Sequence, residues 1–179
     1  MLKIFTAPLL VLFLAFGTAY ASDIRVCFTP GEDCTGVIVD QIAAAKREVL
    51  VQAYSFTNPD IVKALVAAKK RGVDVRAILD KSNFCRAEKA ACENKGQIAA
   101  DTLAIAKVPV TVDREHAIAH NKIMVIDRER VITGSFNFSR AAQEKNAENL
   151  LVITDAAQAQ RYTRNWQFHA EHSERYAGR

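Results

Sequence analysis

Residues 120–127 read His-Asn-Lys-Ile-Met-Val-Ile-Asp, and the apolar run within them predicts a buried strand. His120 and Lys122 are two residues apart at the start of this strand, so an extended backbone directs both side chains to the same face. Asp127 ends the run at a turn. The stretch therefore places an imidazole beside a fixed cation at the edge of a hydrophobic core.

A second polar stretch, Gly-Ser-Phe-Asn-Phe-Ser at residues 134–139, follows the next apolar segment. Ser135, Asn137 and the backbone N–H groups supply hydrogen-bond donors that suit phosphate oxygens. Glu148 precedes a further apolar run and is placed to hold an imidazole in one tautomer. Each residue alone fits an ordinary surface or turn role, but the combination indicates a phosphoryl-transfer site.

The composite pattern His-x-Lys-(x)4-Asp followed by Gly-Ser-x-Asn-x-Ser resembles the phospholipase D superfamily, in particular its small exported bacterial Nuc-type endonucleases. The resemblance covers most of the chain beyond residue 21. It implies that His120 attacks phosphorus and forms a covalent phosphohistidine, which water then hydrolyses. It also makes Lys122 catalytic, because its charge would neutralise the substrate phosphate as the transition state forms.

The resemblance implies roles for the surrounding polar residues as well. Ser135 and Asn137 match substrate phosphate-binding positions, which Lys122 shares. Glu148 matches the catalytic position that accepts a hydrogen bond from the nucleophilic imidazole. Asp127 is the motif aspartate and is included in the catalytic set, with a structural role as the alternative.

Expelling an alkoxide near neutral pH requires an acid that protonates the leaving oxygen, yet the sequence contains the motif only once. His116 is a candidate acid, whereas His169 and His172 fall in a predicted terminal helix. In the family, short chains supply the second motif by pairing. The resemblance therefore predicts a two-fold symmetric homodimer with one active site at its interface, where two His120 side chains act as nucleophile and general acid.

These implications favour a phosphodiesterase that cleaves the backbone of DNA, and of RNA as a second substrate, with little sequence specificity. No carboxylate cluster of the kind that binds Mg²⁺ surrounds the motif in the sequence, so neither a metal nor another cofactor is expected. The alternatives are a phospholipase D-type lipid phosphodiesterase and a non-catalytic nucleic-acid-binding domain that retains the fold. The net charge of +4 is compatible with all three.

Residues 1–21 have the features of a secretory signal peptide, namely an early lysine, an apolar stretch over residues 7–16 and an Ala-Tyr-Ala cleavage pattern. The apolar stretch is shorter than the roughly 20 residues that span a bilayer, which disfavours a permanent membrane anchor. The expected product is a single nuclease domain, residues 22–179, located in the periplasm or secreted.

The four cysteines form an even set, which in an exported chain predicts disulfides. Three pairings are possible, and Cys27 with Cys34 and Cys85 with Cys92 are favoured because each pair brackets a short polar segment. A four-cysteine zinc site is the rival interpretation. It is disfavoured because six residues separate the members of each pair, more than the roughly 2 to 4 usual in structural zinc motifs.

Strands and helices alternate along the rest of the sequence. Residues 49–55 and 73–79 predict strands on either side of a helix that begins with Asn58 as its cap and Pro59 in its first turn. This unit favours a parallel strand pair with a right-handed crossover. Further strands are predicted at residues 108–112, 123–126, 131–133 and 150–153, and further helices at residues 35–47, 97–106 and after Asp155. The expected class is α/β, a three-layer α/β/α sandwich with a mixed, largely parallel sheet.

Overall fold

The computed structural model describes residues 22–85 and 94–178, which form eight strands and five α-helices. The strands are β1 (Asp23–Thr29), β2 (Glu48–Ala53), β3 (Asp74–Asp80), β4 (Val110–Asp113), β5 (Lys122–Ile126), β6 (Arg130–Gly134), β7 (Glu148–Thr154) and β8 (Glu174–Arg175). The helices are α1 (Cys34–Ala43), α2 (Pro59–Lys70), α3 (Lys95–Ile105), α4 (Arg140–Glu144) and α5 (Ala156–His172). The predicted signal peptide, residues 1–21, lies outside the described residues.

All eight strands join one sheet in the order β1-β7-β6-β5-β2-β3-β4-β8. The α/β class is confirmed, but the expectation of a largely parallel sheet was wrong. Only β2 with β3 and β3 with β4 are parallel among the described pairs, and the other neighbours are antiparallel. The β2-α2-β3 crossover was predicted correctly. Among the antiparallel pairs, β5 and β6 are joined by a tight turn, whereas β1–β7, β2–β5 and β4–β8 pair segments that are distant in sequence.

The connection between β5 and β6 is a tight turn. Asp127 and Arg128 have positive φ angles of 56° and 57°. The Glu129 N–H donates to the Ile126 carbonyl at 3.0 Å and closes the turn. Two successive left-handed residues give the turn the twist that a hairpin requires. This geometry reverses the chain directly after the strand that carries the motif lysine.

Helix α2 begins as the sequence predicts. The Asn58 side chain accepts a hydrogen bond from the Asp60 N–H at 2.9 Å, and Pro59 occupies the first turn. Ile61 and Leu65 on its inner face are fully buried. Its last turn carries two lysines, whose positive charges interact favourably with the negative end of the helix dipole. The helix therefore connects the parallel strands β2 and β3.

Helices cover both faces of the sheet, so the three-layer arrangement is also confirmed. Helices α1, α2 and α3 pack on one face and share a hydrophobic core with Val49 and Val51 of β2. Helix α5 packs on the other face, where Trp166 lies against Leu50 and donates its indole N–H to the Val51 carbonyl at 2.8 Å. Every residue of β2 is buried, as expected for a strand covered on both sides.

A disulfide joins Cys27 of β1 to Cys34 at the start of α1, which confirms the first predicted pairing. The second predicted pairing involves Cys92, which lies outside the described residues. Strands β1 and β8 were not predicted, and they extend the sheet at its two edges. Over residues 22–85 and 94–178, no helix is both long and apolar enough to cross a membrane.

Candidate active site

Strand β5 brings the two central motif residues together. Lys122 opens the strand and is only 7% exposed, whereas His120 precedes it and is exposed. The Lys122 Nζ lies 3.2 Å from His120 Nδ1 and 3.3 Å from Nε2, and it donates to the His120 carbonyl at 2.8 Å. The predicted cation beside the imidazole is therefore present in the fold.

The charge of Lys122 is poorly compensated within the chain. Burial lowers the pKa of its ammonium group, and the more distant Glu148 carboxylate only partly opposes this shift. A phosphate anion beside Nζ would supply the missing negative charge. The site is thus electrostatically prepared for an anionic ligand.

Tyr54 follows β2 and belongs to the same site. Its ring centroid lies 4.6 Å from that of His120 and 5.1 Å from the Lys122 Nζ. Its N–H donates to the Asn121 carbonyl at 2.9 Å, which holds the two chain segments side by side. Tyr54 therefore packs against His120 and faces the ammonium group with its π system.

Ser135 and Glu148 form a second group of polar side chains at the ends of β6 and β7. The Ser135 hydroxyl donates to Glu148 Oε2 at 2.6 Å and accepts from the Asn149 N–H at 3.0 Å. Asn146 donates to Glu148 Oε1 at 2.9 Å. Within the described part of the chain, no hydrogen bond joins Glu148 to His120, so one copy of the chain does not make the predicted contact.

Gly134 permits this close approach of β6 and β7. Its φ angle is 139°, in the region that side chains rarely adopt. A Cβ atom at this position would overlap the Asn149 carbonyl oxygen. The same carbonyl accepts hydrogen bonds from the N–H groups of Ser135 and Phe136, each at 3.1 Å. The glycine thereby fixes the position of Ser135.

Asn137 lies between two phenylalanines that belong to the core rather than to the binding surface. Phe136 and Phe138 are 0% and 1% exposed. Phe138 forms an isolated bridge with Phe56, which sets the segment beside the chain that follows β2. The Oδ1 atom of Asn137 is buried and has no partner in the described region.

Asp127 lies at the opposite end of β5 from His120, roughly 16 Å from Lys122 at about 3.3 Å per residue. Its carboxylate accepts from the N–H groups of Lys46, Arg47 and Glu48 at 2.7 to 3.2 Å. Burial opposes ionisation, but these N–H groups outweigh it and hold the pKa of Asp127 below its usual value. This position, away from His120 and among backbone N–H groups, favours the structural alternative over a catalytic role for Asp127.

His116, the candidate acid, is also placed elsewhere. Its Nδ1 lies 3.0 Å from Asp113 Oδ2, and His169 and His172 contact the same carboxylate oxygen. The chain contains four histidines in total. Three of them therefore surround Asp113, and His120 alone belongs to the motif site.

An open groove of about 530 Å³ leads to His120 and Lys122. Helix α5 forms one wall with Arg161 and Asn165, which are one turn apart on the same helix face. Neither residue was predicted from the sequence. Their i,i+4 spacing on the terminal helix was the available signal, but only the fold shows that this face meets β5. The remaining lining residues are Asn121, Ile123, Thr133, Gly134, Gln158 and Tyr162.

Residues 38–169 match the protein family described as cardiolipin synthase, PLD-like domain. The matched region begins in α1, ends in α5 and contains all of the motif residues. The chain belongs to the phospholipase D superfamily. The resemblance inferred from the sequence motif is thereby confirmed.

Individual relatives agree with this assignment to the phospholipase D superfamily. The chain is 42% identical over 145 residues to a phospholipase D of Rickettsia bellii, an alignment that covers 81% of this chain and 68% of the relative. It is similar to the crystal structure of Nuc from Salmonella typhimurium, a phospholipase D family member, with 36% identity, a TM-score of 0.79 and coverage of 87% and 99%. NucT from Helicobacter pylori shares the fold, with 24% identity, a TM-score of 0.72 and coverage of 87% and 100%. The chain is a Nuc-type, phosphodiester-cleaving hydrolase of this superfamily.

Proposed function

We propose that this phospholipase D superfamily hydrolase is an endonuclease that cleaves the backbone of DNA, and of RNA as a second substrate, with little sequence specificity. The observation that carries the proposal is an exposed imidazole, His120, beside the nearly buried ammonium group of Lys122. The groove beside it has a guanidinium group, Arg161, and amide side chains in its walls. Such groups bind a phosphodiester backbone without reading base identity.

The proposed reaction proceeds in two displacements. A ring nitrogen of His120 attacks phosphorus, the phosphorus–oxygen bond to one strand end breaks, and the leaving oxygen takes a proton from a general acid. Water then attacks the phosphohistidine, gives a proton back to that acid and releases His120. Lys122 and Asn137 bind the non-bridging oxygens, whose charge increases in both transition states. No step requires a metal ion.

The number of histidines at the site supports a homodimeric active site. The mechanism needs a nucleophile and an acid, but each chain offers only His120, because His116, His169 and His172 surround Asp113. His120 is exposed and therefore accessible to a second copy. In a two-fold dimer, the second His120 would supply the acid. Glu148, which does not reach His120 within one chain, would complete its role from across that interface.

We also place this enzyme in the periplasm or outside the cell. The Cys27–Cys34 disulfide supports the proposal, because such bonds persist in oxidising compartments. The signal-peptide pattern of residues 1–21 is the second argument. Detection of a mature protein that begins at Ser22 in the periplasmic fraction would test it.

The experiment that tests nuclease activity is cleavage of supercoiled plasmid by purified protein, with excess EDTA added at the start of a short reaction. We expect the wild type to nick and degrade the plasmid, and His120→Ala to be inactive. Lys63→Ala is the matched control, because Lys63 is an exposed residue of α2, which packs on the opposite face of the sheet from α5. Cleavage that requires added Mg²⁺, or that persists in His120→Ala, would contradict the mechanism.

A lipid phosphodiesterase is the second candidate function. It is favoured by the similarity to the Rickettsia phospholipase D and by the cardiolipin synthase description of the matched family. The same protein preparations should therefore also be assayed on vesicles of phosphatidylcholine and cardiolipin. Release of headgroup by the wild type but not by His120→Ala, with plasmid left intact, would replace the nuclease proposal.

A further inference from the structure

A cluster of metal-binding side chains lies away from the groove. Asp113 ends β4, His116 follows it in the next segment, and His169 and His172 are one turn apart on α5. Asp113 is fully buried, and the side chains of His169 and His172 are only 12% and 17% exposed. One potential ligand atom from each of the four residues lies within 4.8 Å of all the others. None of the four lines the groove beside His120.

The distances within this cluster match a tetrahedral ion. Asp113 Oδ2 lies 3.0 Å from His116 Nδ1, 3.0 Å from His169 Nδ1 and 3.4 Å from His172 Nε2. Zinc bonds to nitrogen and oxygen are about 2.0 to 2.1 Å long, so neighbouring ligands in a tetrahedral site are about 3.3 to 3.4 Å apart. These three separations are close to that spacing, and one ligand atom from each residue lies within 4.8 Å of all the others, so the four side chains can enclose one ion by moving towards a common point.

Three imidazole nitrogens converge on the carboxylate of Asp113. All three contact Oδ2, and His116 Nδ1 also lies 3.2 Å from Oδ1. An anionic carboxylate and several imidazoles around one point form a ligand set that zinc prefers.

We infer that Asp113, His116, His169 and His172 bind one Zn²⁺ ion with a structural role. All four tetrahedral positions are filled by protein, so no position remains for a reactive water molecule. The ion would link α5 to the segment of residues 114–121, which connects β4 to β5 and carries His120. It thereby positions the nucleophile without taking part in the chemistry.

Other contacts show that this segment is already anchored on its way to the active site. Lys81 Nζ donates to the His116 carbonyl at 2.6 Å, and the Ala119 N–H donates to Asp80 Oδ2 at 2.7 Å. The inferred ion adds a further anchor, which joins the segment to α5 through the side chain of His116. Because α5 also supplies Arg161 to the groove, the ion would fix the positions of His120 and Arg161 relative to each other.

The test is metal binding by the purified protein, measured without reference to cleavage. The metal is first removed by prolonged dialysis against chelator, and the protein is then titrated with Zn²⁺ and, in parallel, with Co²⁺. We expect one Zn²⁺ per chain by elemental analysis and the intense visible absorption of tetrahedral Co²⁺. Zinc at a hundredfold excess over its dissociation constant should raise the thermal midpoint by about 5 to 10 °C.

Three variants decide which residues are responsible. His169→Ala combined with His172→Ala should abolish stoichiometric binding, whereas His120→Ala, which changes the fourth histidine of the chain, should bind zinc as the wild type does. His116→Ala changes the most exposed ligand and should weaken zinc affinity at least tenfold even if the double variant does not fold. Substoichiometric zinc in the wild type, octahedral Co²⁺ absorption, or unchanged affinity in His116→Ala would overturn the inference.

Discussion

Lys122 combines a functional charge with an unfavourable position for the fold. Burial lowers its pKa, which means that the folded state disfavours the charged form relative to the unfolded chain. Stability is therefore reduced at every pH below the unfolded pKa of about 10.4, and the penalty disappears only above it. The charge of Lys122 therefore does not stabilise the fold, as expected of a residue that serves catalysis.

Lys122→Met should separate these two roles. We expect cleavage to fall by about 10²- to 10³-fold, because a charge that stabilises the transition state is lost. The free energy of unfolding at pH 7 should not decrease, because the buried charge is removed with it. Plasmid cleavage rates and urea unfolding curves measure the two quantities. A loss of activity that merely follows a loss of stability would argue against a catalytic role.

Asp127, in contrast to Lys122, is expected to contribute to stability rather than to catalysis. Asp127→Asn should lower the free energy of unfolding by about 1 to 3 kcal/mol at pH 7, because the Asn amide cannot accept all of the N–H groups of residues 46–48. The pKa of Asp127 is depressed by folding, so its stabilisation is complete above the unfolded pKa of about 3.9 and is lost as the pH falls towards the folded value. Urea unfolding of wild type and variant should therefore converge in acid.

The activity of folded Asp127→Asn completes that test. Since the carboxylate lies at the far end of β5, we expect the cleavage rate per folded molecule to stay close to that of the wild type. A large decrease in turnover at unchanged stability would restore the catalytic role that the sequence motif suggests.

At the level of elements, the join between β6 and β7 depends on one glycine. Gly134→Ala should be markedly more destabilising than Gly72→Ala. Both glycines have positive φ angles, so alanine introduces backbone strain at either position. At position 134 the added Cβ atom would also overlap the Asn149 carbonyl oxygen. At position 72 no atom lies within 4 Å of the added Cβ atom. Thermal unfolding of the two variants provides the comparison. Equal destabilisation would show that close approach to Asn149 does not determine the residue.

Elements with local signals could be predicted from the sequence. The cap and first-turn proline of α2 and the apolar run of β5 are read from neighbouring residues, and both are present in the structure. Strand β1 was missed although Ile24, Val26 and Phe28 alternate, and its pattern is unusual because these apolar residues are exposed. Strand direction was also misjudged, since it depends on pairing between distant segments.

At the level of the whole molecule, the dimer proposal predicts a specific result for mixed subunits. Wild-type and His120→Ala chains expressed together in equal amounts should retain about one quarter of the wild-type activity, because only dimers with two intact chains would contain both histidines. Independent monomers would retain about one half. Coexpression with Lys63→Ala instead should leave activity unchanged, and light scattering should report a two-chain mass.

The candidate site was predictable only where its residues are close together in the sequence. His120 and Lys122 share a strand, so a period of two was enough to place them together. The cluster around Asp113 joins β4 to α5 across 56 residues of sequence, from Asp113 to His169. Nothing local to either element indicates that contact. Arg161 and Asn165 likewise become groove residues only through the packing of α5 against the sheet.

The incompletely compensated ammonium group of Lys122 has a consequence for how the protein selects its substrates. Any polyanion that fits the groove can satisfy that charge, whether or not it contains a bond that His120 can break. We therefore expect the groove to bind polyanions with little specificity, so that substrates are distinguished only by whether His120 can cleave them. Heparin and polyphosphate should consequently occupy the groove and compete with nucleic acid while remaining intact.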